Sequence, residues 1–328
     1  MGLLSVAMEA TRRTVPLGPL AVSPLAVGTW AWGDRSYWGH GERFADADLV
    51  DAFIASADAG LTFFDTAEVY GKGESEKIVG YLARKWERPL VIATKYAPLS
   101  GRAGAASVAP ALSASLARLK LPKVDLYQLH WPDPSVGSVE ELTGALADEL
   151  VAGRAGLAGV SNYGAEETRR AHAVLAARGL PLASNQIHYS LLHRACELDG
   201  TFDACRELGV TILAYTPLEQ GILAGRYPPG TRPPGTRGQH PRFSDEALAR
   251  AAKVVELLRE IGARHGDFAP EQVALAWLMA RPGVIPIVGA TSGAQATKNA
   301  GTLALTLDPA ELDTLDHATR GFVVPRRS

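Results

Sequence analysis

Eight short apolar runs, each followed by a stretch with helical periodicity, constrain this chain more than any other feature. The runs are Leu25–Trp30, Thr62–Asp65, Leu90–Lys95, Val124–His130, Gly156–Ser161, Ala183–Tyr189, Thr211–Pro217 and Val284–Gly289. Between them, segments such as "ADLVDAFIASADAG", "GESEKIVGYLARKW", "SVAPALSASLARLK" and "EETRRAHAVLAARG" space their apolar residues three and four apart. Several end in Gly, as helix C-termini do. Eight strand–helix units in one chain predict an α/β fold of the closed (β/α)8 TIM-barrel kind. A doubly wound sheet would alternate too, but "AVGTWAWGDRSYWG" after the first strand lacks the GxGxxG fingerprint. Ahead of the first run, "TVPLGPLAV" predicts an N-terminal β-hairpin turning at Gly18-Pro19. Helices over Asp245–His265 and near Pro309–Ala318 are expected as additions to the barrel. The chain therefore reads as one domain, 1–328, with residues 1–13 expected to be flexible. The Gly-, Pro- and Arg-rich segment 219–243 follows the seventh strand and is expected as a long loop over the active-site face.

Composition narrows the function. At 328 residues, with 47% hydrophobic and 21% charged residues, the chain is ordinary for a globular protein. Thirty-three basic against 35 acidic residues leave a net charge of −2, which argues against nucleic acid or an anionic membrane as partner. No apolar run has the length of a membrane span, and "MGLLSVAMEATRR" lacks the basic and apolar regions of a signal peptide. Val6 stands where a myristoylation site requires Ser or Thr. A cytoplasmic location is the default expectation. Cys196 and Cys205 are expected in one helical stretch, nine residues apart and too distant to bridge, as structural thiols.

In such barrels the residues at the C-terminal ends of the strands face one shared site. Here those ends, or the residues just past them, are Trp30, Asp65 with Tyr70, Lys95, His130, Ser161-Asn162, Asn185-Gln186 and Tyr215. Each of Asp65, Tyr70, Lys95 and His130 has a structural reading by itself: a helix cap, a packing aromatic, a paired cation, a core histidine. Four at one mouth favour chemistry. Free tyrosine, with a pKa of about 10, is a poor acid at neutral pH. A lysine cation favours the phenolate and lowers that value, and Asp65 keeps the lysine charged. A histidine N–H can hold a substrate oxygen near the phenol. The set suits proton donation to a carbonyl, with Asp65, Tyr70, Lys95 and His130 as the catalytic group.

The motifs "GLTFFDTAEVYG", "IATK", "DLYQLHWPDP", "GVSNYG", "NQIHYSLL", "AYTPLEQGILAGRY" and "IPIVGATSGAQATKNAG" resemble those of the aldo-keto reductases, over roughly 17–307. The resemblance implies an NAD(P)H-dependent carbonyl reductase without a Rossmann fold or a metal. Tyr70 would be its proton donor, Lys95 and Asp65 the tuning pair, and His130 the carbonyl-orienting residue. By the same resemblance Ser161, Asn162 and Gln186 would hydrogen-bond the nicotinamide carboxamide, and Tyr215 would stack on its ring. Leu218, Gln220, Gly221, Leu223 and Arg226 would wrap the pyrophosphate, and Thr216 and Pro217 would also belong to the cofactor site. Gly289, Thr291, Ser292, Gln295, Lys298 and Asn299 would form the 2′-phosphate and adenosine pocket. Relatives often carry a cation where this chain has Thr291, and Glu where it has Lys298. NADPH is expected, with NADH the alternative. The "GTWAWG" stretch resembles the pyridoxal-reductase branch, and Trp30, Trp32, Trp38 and Trp131 are expected to wall a pocket for a flat or apolar carbonyl compound. The competing expectations are a nicotinamide-binding regulatory subunit like the potassium-channel β subunits, and a metal-dependent barrel hydrolase using Asp65 and His130. The latter lacks any HxH or HExxH spacing.

Overall fold

The computed structural model describes residues 14–322, so the flexible segment expected over 1–13 lies outside the described residues. Eight parallel strands close into a barrel in chain order: β3 (Ala26–Gly28), β4 (Phe63–Asp65), β5 (Val91–Tyr96), β6 (Val124–Leu129), β7 (Ala155–Ser161), β8 (Leu182–His188), β9 (Thr211–Tyr215) and β10 (Val284–Gly289), which pairs back onto β3. Each corresponds to one of the apolar runs, with ends that agree within two residues. Two antiparallel strands precede them, β1 (Val15–Leu17) and β2 (Leu20–Val22), in register Val15↔Val22 and Leu17↔Leu20 around the Gly18-Pro19 turn.

This hairpin is the floor of the barrel. Leu17 and Val22 are buried in a cluster with Phe63, Ala93, Leu126, Leu157, Leu213 and Ile285 from the strands. Because side chains alternate along a strand, the residues two further on share the same inward face. Those residues are Asp65, Lys95 and Gln128, all buried. A polar layer thus rests directly on an apolar one. Gly159 makes room for it: a Cβ there would lie 2.8 Å from Gln128 Cγ and 2.5 Å from Ser184 Oγ.

The helices form the outer ring. Helix Val139–Val151 opens with a capping box in which Ser138 Oγ accepts from the Glu141 amide and Glu141 accepts from the Ser138 amide. Helix Gly293–Gly301, which follows β10, packs on Asp46–Asp58, which follows β3, and so seals the ring. Between β9 and β10 the barrel helix is Pro270–Met279, and Asp245–Arg264 packs outside it as an addition, as does the C-terminal helix Pro309–Thr319. The two cysteines do not share a helical stretch. Cys196 lies in a single turn, Ala195–Glu197, and Cys205 in helix Thr201–Leu208, because Asp199-Gly200 interrupts the helix with Gly200 at φ 80°. Both thiols are free and buried. Among the described residues no helix is long and apolar enough to cross a membrane.

Candidate active site

At the C-terminal mouth of the barrel the polar layer becomes a connected network. Lys95, with no exposed surface, donates to the Asp65 carboxylate, to the Thr66 carbonyl oxygen at 2.8 Å and to Tyr70 Oη at 3.2 Å. The second Asp65 oxygen accepts from Gln128 Nε2 at 3.0 Å and Gln186 Nε2 at 2.9 Å. Both carboxylate oxygens are therefore committed within the protein. Burial on its own would strip Lys95 of its charge, but Asp65 and Tyr70 hold its pKa above the ordinary lysine value.

Tyr70 is fixed by the turn that follows β4. Glu68 in that turn accepts from the Ala97 amide and, through both oxygens, from Arg102, which ties the turn to the exit of β5. Thr66 and Thr29 converge on Ser75 Oγ at 2.8 and 2.7 Å. After Tyr70 the chain passes so close to the loop after β3 that a Cβ on Gly71 would lie 2.7 Å from the Gly33 carbonyl oxygen. Burial raises the Tyr70 pKa, and the Lys95 cation pulls it down by less. The sequence predicts a net lowering, and burial of the phenol at the inner end of the cavity outweighs the lysine and reverses it. His130 follows β6, with its ring centroid 5.8 Å from that of Tyr70. Burial, with Lys95 nearby, pushes its pKa well below the usual range, so it is a neutral imidazole. Its Nδ1 is buried without a hydrogen-bond partner.

Tyr70 and His130 open into a cavity of about 690 Å³ that extends past Tyr215 to Asn299. The expected positions Ser161, Asn162, Gln186, Tyr215, Thr216, Pro217, Leu218, Gln220, Gly221, Arg226, Gly289, Thr291, Gln295, Lys298 and Asn299 all line it. Asn162, at φ 61°, donates to the His130 carbonyl oxygen at 3.0 Å and accepts from Tyr215 Oη at 2.9 Å. Tyr215 in turn stacks on His188 at 5.3 Å, and His188 on His193 at 3.7 Å. At the far end Lys298 pairs with Glu271 at 3.2 Å.

Three of the expected cofactor and substrate positions do not line this cavity. Leu223 is fully buried in the core. Ser292 caps helix Gly293–Gly301, where its Oγ accepts from the Gln295 amide. Trp32 is fully buried, with its indole N–H on the Ala290 carbonyl oxygen at 2.8 Å, so it ties β3 to β10 instead of walling a pocket. Trp30, Trp38 and Trp131 do line the cavity. Trp30 stacks on Tyr37 at 5.2 Å and lies 6.3 Å from Tyr70. Sequence reasoning missed Gln128 as an Asp65 partner. The signal was there, since Gln128 sits two residues before His130 on the inward face. It also missed Arg43, Phe44, Arg237 and Glu271, which long loops and a helix bring to the cavity from positions with no strand-end signature. Among the described residues no group of three or more His, Cys, Asp or Glu side chains is placed to hold a metal ion.

The Aldo/keto reductase family matches residues 24–320. The chain belongs to that family. It is an oxidoreductase, and its relatives bear this out. An uncharacterized oxidoreductase of Mycobacterium tuberculosis is 39% identical over 301 residues, covering 92% of this chain and 90% of that protein. The chloroplastic pyridoxal reductase of Arabidopsis thaliana is 34% identical, covering 93% and 86%. Among solved structures, the glycerol dehydrogenase of Gluconobacter oxydans superposes with a TM-score of 0.82 at 26% identity, covering 96% of each chain. An aldo-keto reductase of Klebsiella pneumoniae in complex with NADPH superposes with a TM-score of 0.73 at 28% identity, again covering 96% of each.

Proposed function

We propose that this chain reduces an aldehyde or ketone to an alcohol with NADPH, Tyr70 supplying the proton. One observation carries the reading: a fully buried lysine contacts a carboxylate, a carbonyl oxygen and the phenol that faces the cavity. The cavity suits an extended nicotinamide cofactor, since it runs continuously from the phenol, past the Tyr215 ring, to the half-exposed Lys298 beside Asn299. Tyr215 would support the nicotinamide, Ser161, Asn162 and Gln186 its carboxamide, and Arg226 the pyrophosphate. When bound, the cofactor supplies the hydride that reduces the carbonyl carbon. Tyr70 holds a proton at Oη, and its raised pKa keeps it there at neutral pH. As the carbonyl oxygen becomes an alkoxide it takes that proton, and Lys95 stabilises the phenolate left behind. Neutral His130, with one N–H to donate, orients the oxygen.

NADPH is favoured over NADH by the complex of the Klebsiella neighbour with NADPH and by the cation at Lys298. Lys298 is also paired with Glu271, so its selectivity for a 2′-phosphate depends on that pair opening. The aromatic walls of Trp30, Trp38 and Trp131 suit a flat carbonyl compound, and the Arabidopsis relative makes pyridoxal the first candidate. The test is titration of NADPH and NADH by tryptophan fluorescence, then absorbance at 340 nm with a carbonyl panel that includes pyridoxal. Tight NADPH binding with turnover is expected. Binding with no turnover on any carbonyl would favour a regulatory binding role instead.

A further inference from the structure

Tyr37 does not line the cavity, yet it is packed against a residue that does. Its ring stacks on the Trp30 indole, with centroids 5.2 Å apart and planes 18° from parallel. Trp38 stands edge-on to both, 5.3 Å from Trp30 and 5.5 Å from Tyr37. Trp30 and Trp38 line the cavity, and the Trp30 ring lies 6.3 Å from that of Tyr70. Trp30 keeps 37% of its surface exposed, although large rings usually bury most of theirs. An indole left open on a cavity wall offers its face to a flat partner.

The loop after β3 holds Tyr37 at both ends. Asp34 Oδ1 accepts from the Tyr37 amide at 2.7 Å and from the Trp38 amide at 3.0 Å, which fixes the turn presenting the two rings. At the tip of the side chain, Tyr37 Oη donates to Gln220 Oε1 at 3.0 Å. Gln220 belongs to the loop after β9 and is held at φ 55°. The Tyr37 ring is therefore anchored by backbone on one loop and by side chain on another. Trp30, stacked on it and met edge-on by Trp38, is ordered before any substrate arrives. Ordering a free side chain during binding lowers affinity, and this packing removes that loss.

We propose that Tyr37 is a specificity-determining positioning residue, which fixes Trp30 and so gives the cavity a preference for aromatic over aliphatic carbonyl compounds. This rests on the reductase reading, which assigns no role to Tyr37. An aliphatic aldehyde gains little from a flat ring face, so its binding does not depend on how firmly Trp30 is held.

The experiment uses the full chain with Tyr37→Leu, which fills space without stacking, and Tyr37→Phe, which keeps the ring. Folding is checked by thermal melt, and kcat and KM are read for benzaldehyde and for propanal at saturating NADPH. In Tyr37→Leu the benzaldehyde KM should rise about threefold to tenfold. Its kcat and the propanal KM should stay at wild type, and Tyr37→Phe should restore the benzaldehyde KM. A general structural role would move both aldehydes together. The proposal is overturned by equal changes for the two aldehydes, by no change for either, or by a Tyr37→Phe variant as impaired as Tyr37→Leu. Failure of Tyr37→Leu to fold overturns it too, since Tyr37 would then be a structural residue. A second readout is the Kd of benzyl alcohol in the presence of NADPH, followed by tryptophan fluorescence. Should the wild-type protein turn over neither aldehyde, the reductase reading fails by itself, and this Kd still decides the role of Tyr37. A Kd raised about threefold to tenfold in Tyr37→Leu alone supports it, and an unchanged Kd or no binding to wild type overturns it.

Discussion

At the mouth of this barrel a lysine with no exposed surface is held in its charged form. Lys95 achieves this with Asp65, whose other oxygen is held by Gln128 and Gln186. Two consequences follow at this scale. Tyr70→Phe removes only the hydroxyl, so kcat for carbonyl reduction should fall by about 10²–10⁴-fold while the NADPH Kd stays at the wild-type value. Near-normal turnover would mean that the proton comes from elsewhere. Lys95→Met leaves Asp65 buried and unpaired, at a stability cost of about 3–5 kcal/mol in urea unfolding. The same substitution removes the charge that favours phenolate, so the Tyr70 pKa, already raised, rises further. In the proposed reaction the phenol must be protonated. Its rate should therefore hold through neutral pH and decline on the alkaline side, and the decline should move to higher pH in Lys95→Met. A decline that stays put would remove Lys95 from this role. The alternation Phe63/Asp65, Ala93/Lys95 and Leu126/Gln128 was written in the sequence, and it made the first two polar members legible. Gln128 was overlooked because an amide beside a histidine attracts no attention until its partner is seen. The net direction of the Tyr70 shift was not legible, since it depends on burial by loops distant in sequence.

At the scale of elements, the long loop after β9 is governed by its first residue. Glu219 is buried and accepts from His188 Nε2 at 2.6 Å, Ser190 Oγ at 2.7 Å and Arg242 Nη1 at 2.8 Å. It thereby joins the start of the loop to its end and to the exit of β8. The backbone is held unusually to allow this, with Thr216, Glu219 and Gln220 all at positive φ. Burial would raise the Glu219 pKa, but His188, Arg242 and Ser190 bring it down to about 2. The unfolded value is about 4.3, so this contribution to stability is present above that pH and is lost as the pH falls toward 2. The difference corresponds to roughly 3 kcal/mol. Glu219→Gln should lower the melting temperature at pH 7 and flatten its dependence on pH between 5 and 3. An equally steep acid limb in the variant would show that other carboxylates set it. The sequence showed that a long loop stood here, from its Gly and Pro content. It did not show the clamp, because Glu219, His188 and Arg242 belong to three segments and carry no common spacing. The same limit applies to Arg237, which this loop brings to the cavity.

For the whole molecule, the position of the site follows from how the barrel is closed. The eight runs were legible because each parallel strand is buried on both faces and reads as continuous apolar sequence, bounded by helices of contrasting period. The N-terminal hairpin was legible as an element from its turn, but its task as a floor was not. Nothing in "TVPLGPLAV" says which end of the barrel it covers. Leu17 has no exposed surface and is packed with Phe63, Ala93 and Leu126, one pleat beneath Asp65, Lys95 and Gln128. Leu17→Ala should therefore cost about 2–5 kcal/mol in urea unfolding, as large-to-small changes in a packed core do. If the floor only supports the fold, kcat and the NADPH Kd should match wild type at temperatures well below the melt. If it also keeps water from the ammonium, the new space under the polar layer would weaken the hold of Asp65 on Lys95. The alkaline limb of the pH profile would then move although no group at the mouth had changed. The expected result is the first, because the Asp65 carboxylate is fixed by its hydrogen bonds from Gln128 and Gln186, not by Leu17. A shifted limb in Leu17→Ala would show that the hairpin helps set the charge state of the site from the opposite end of the barrel.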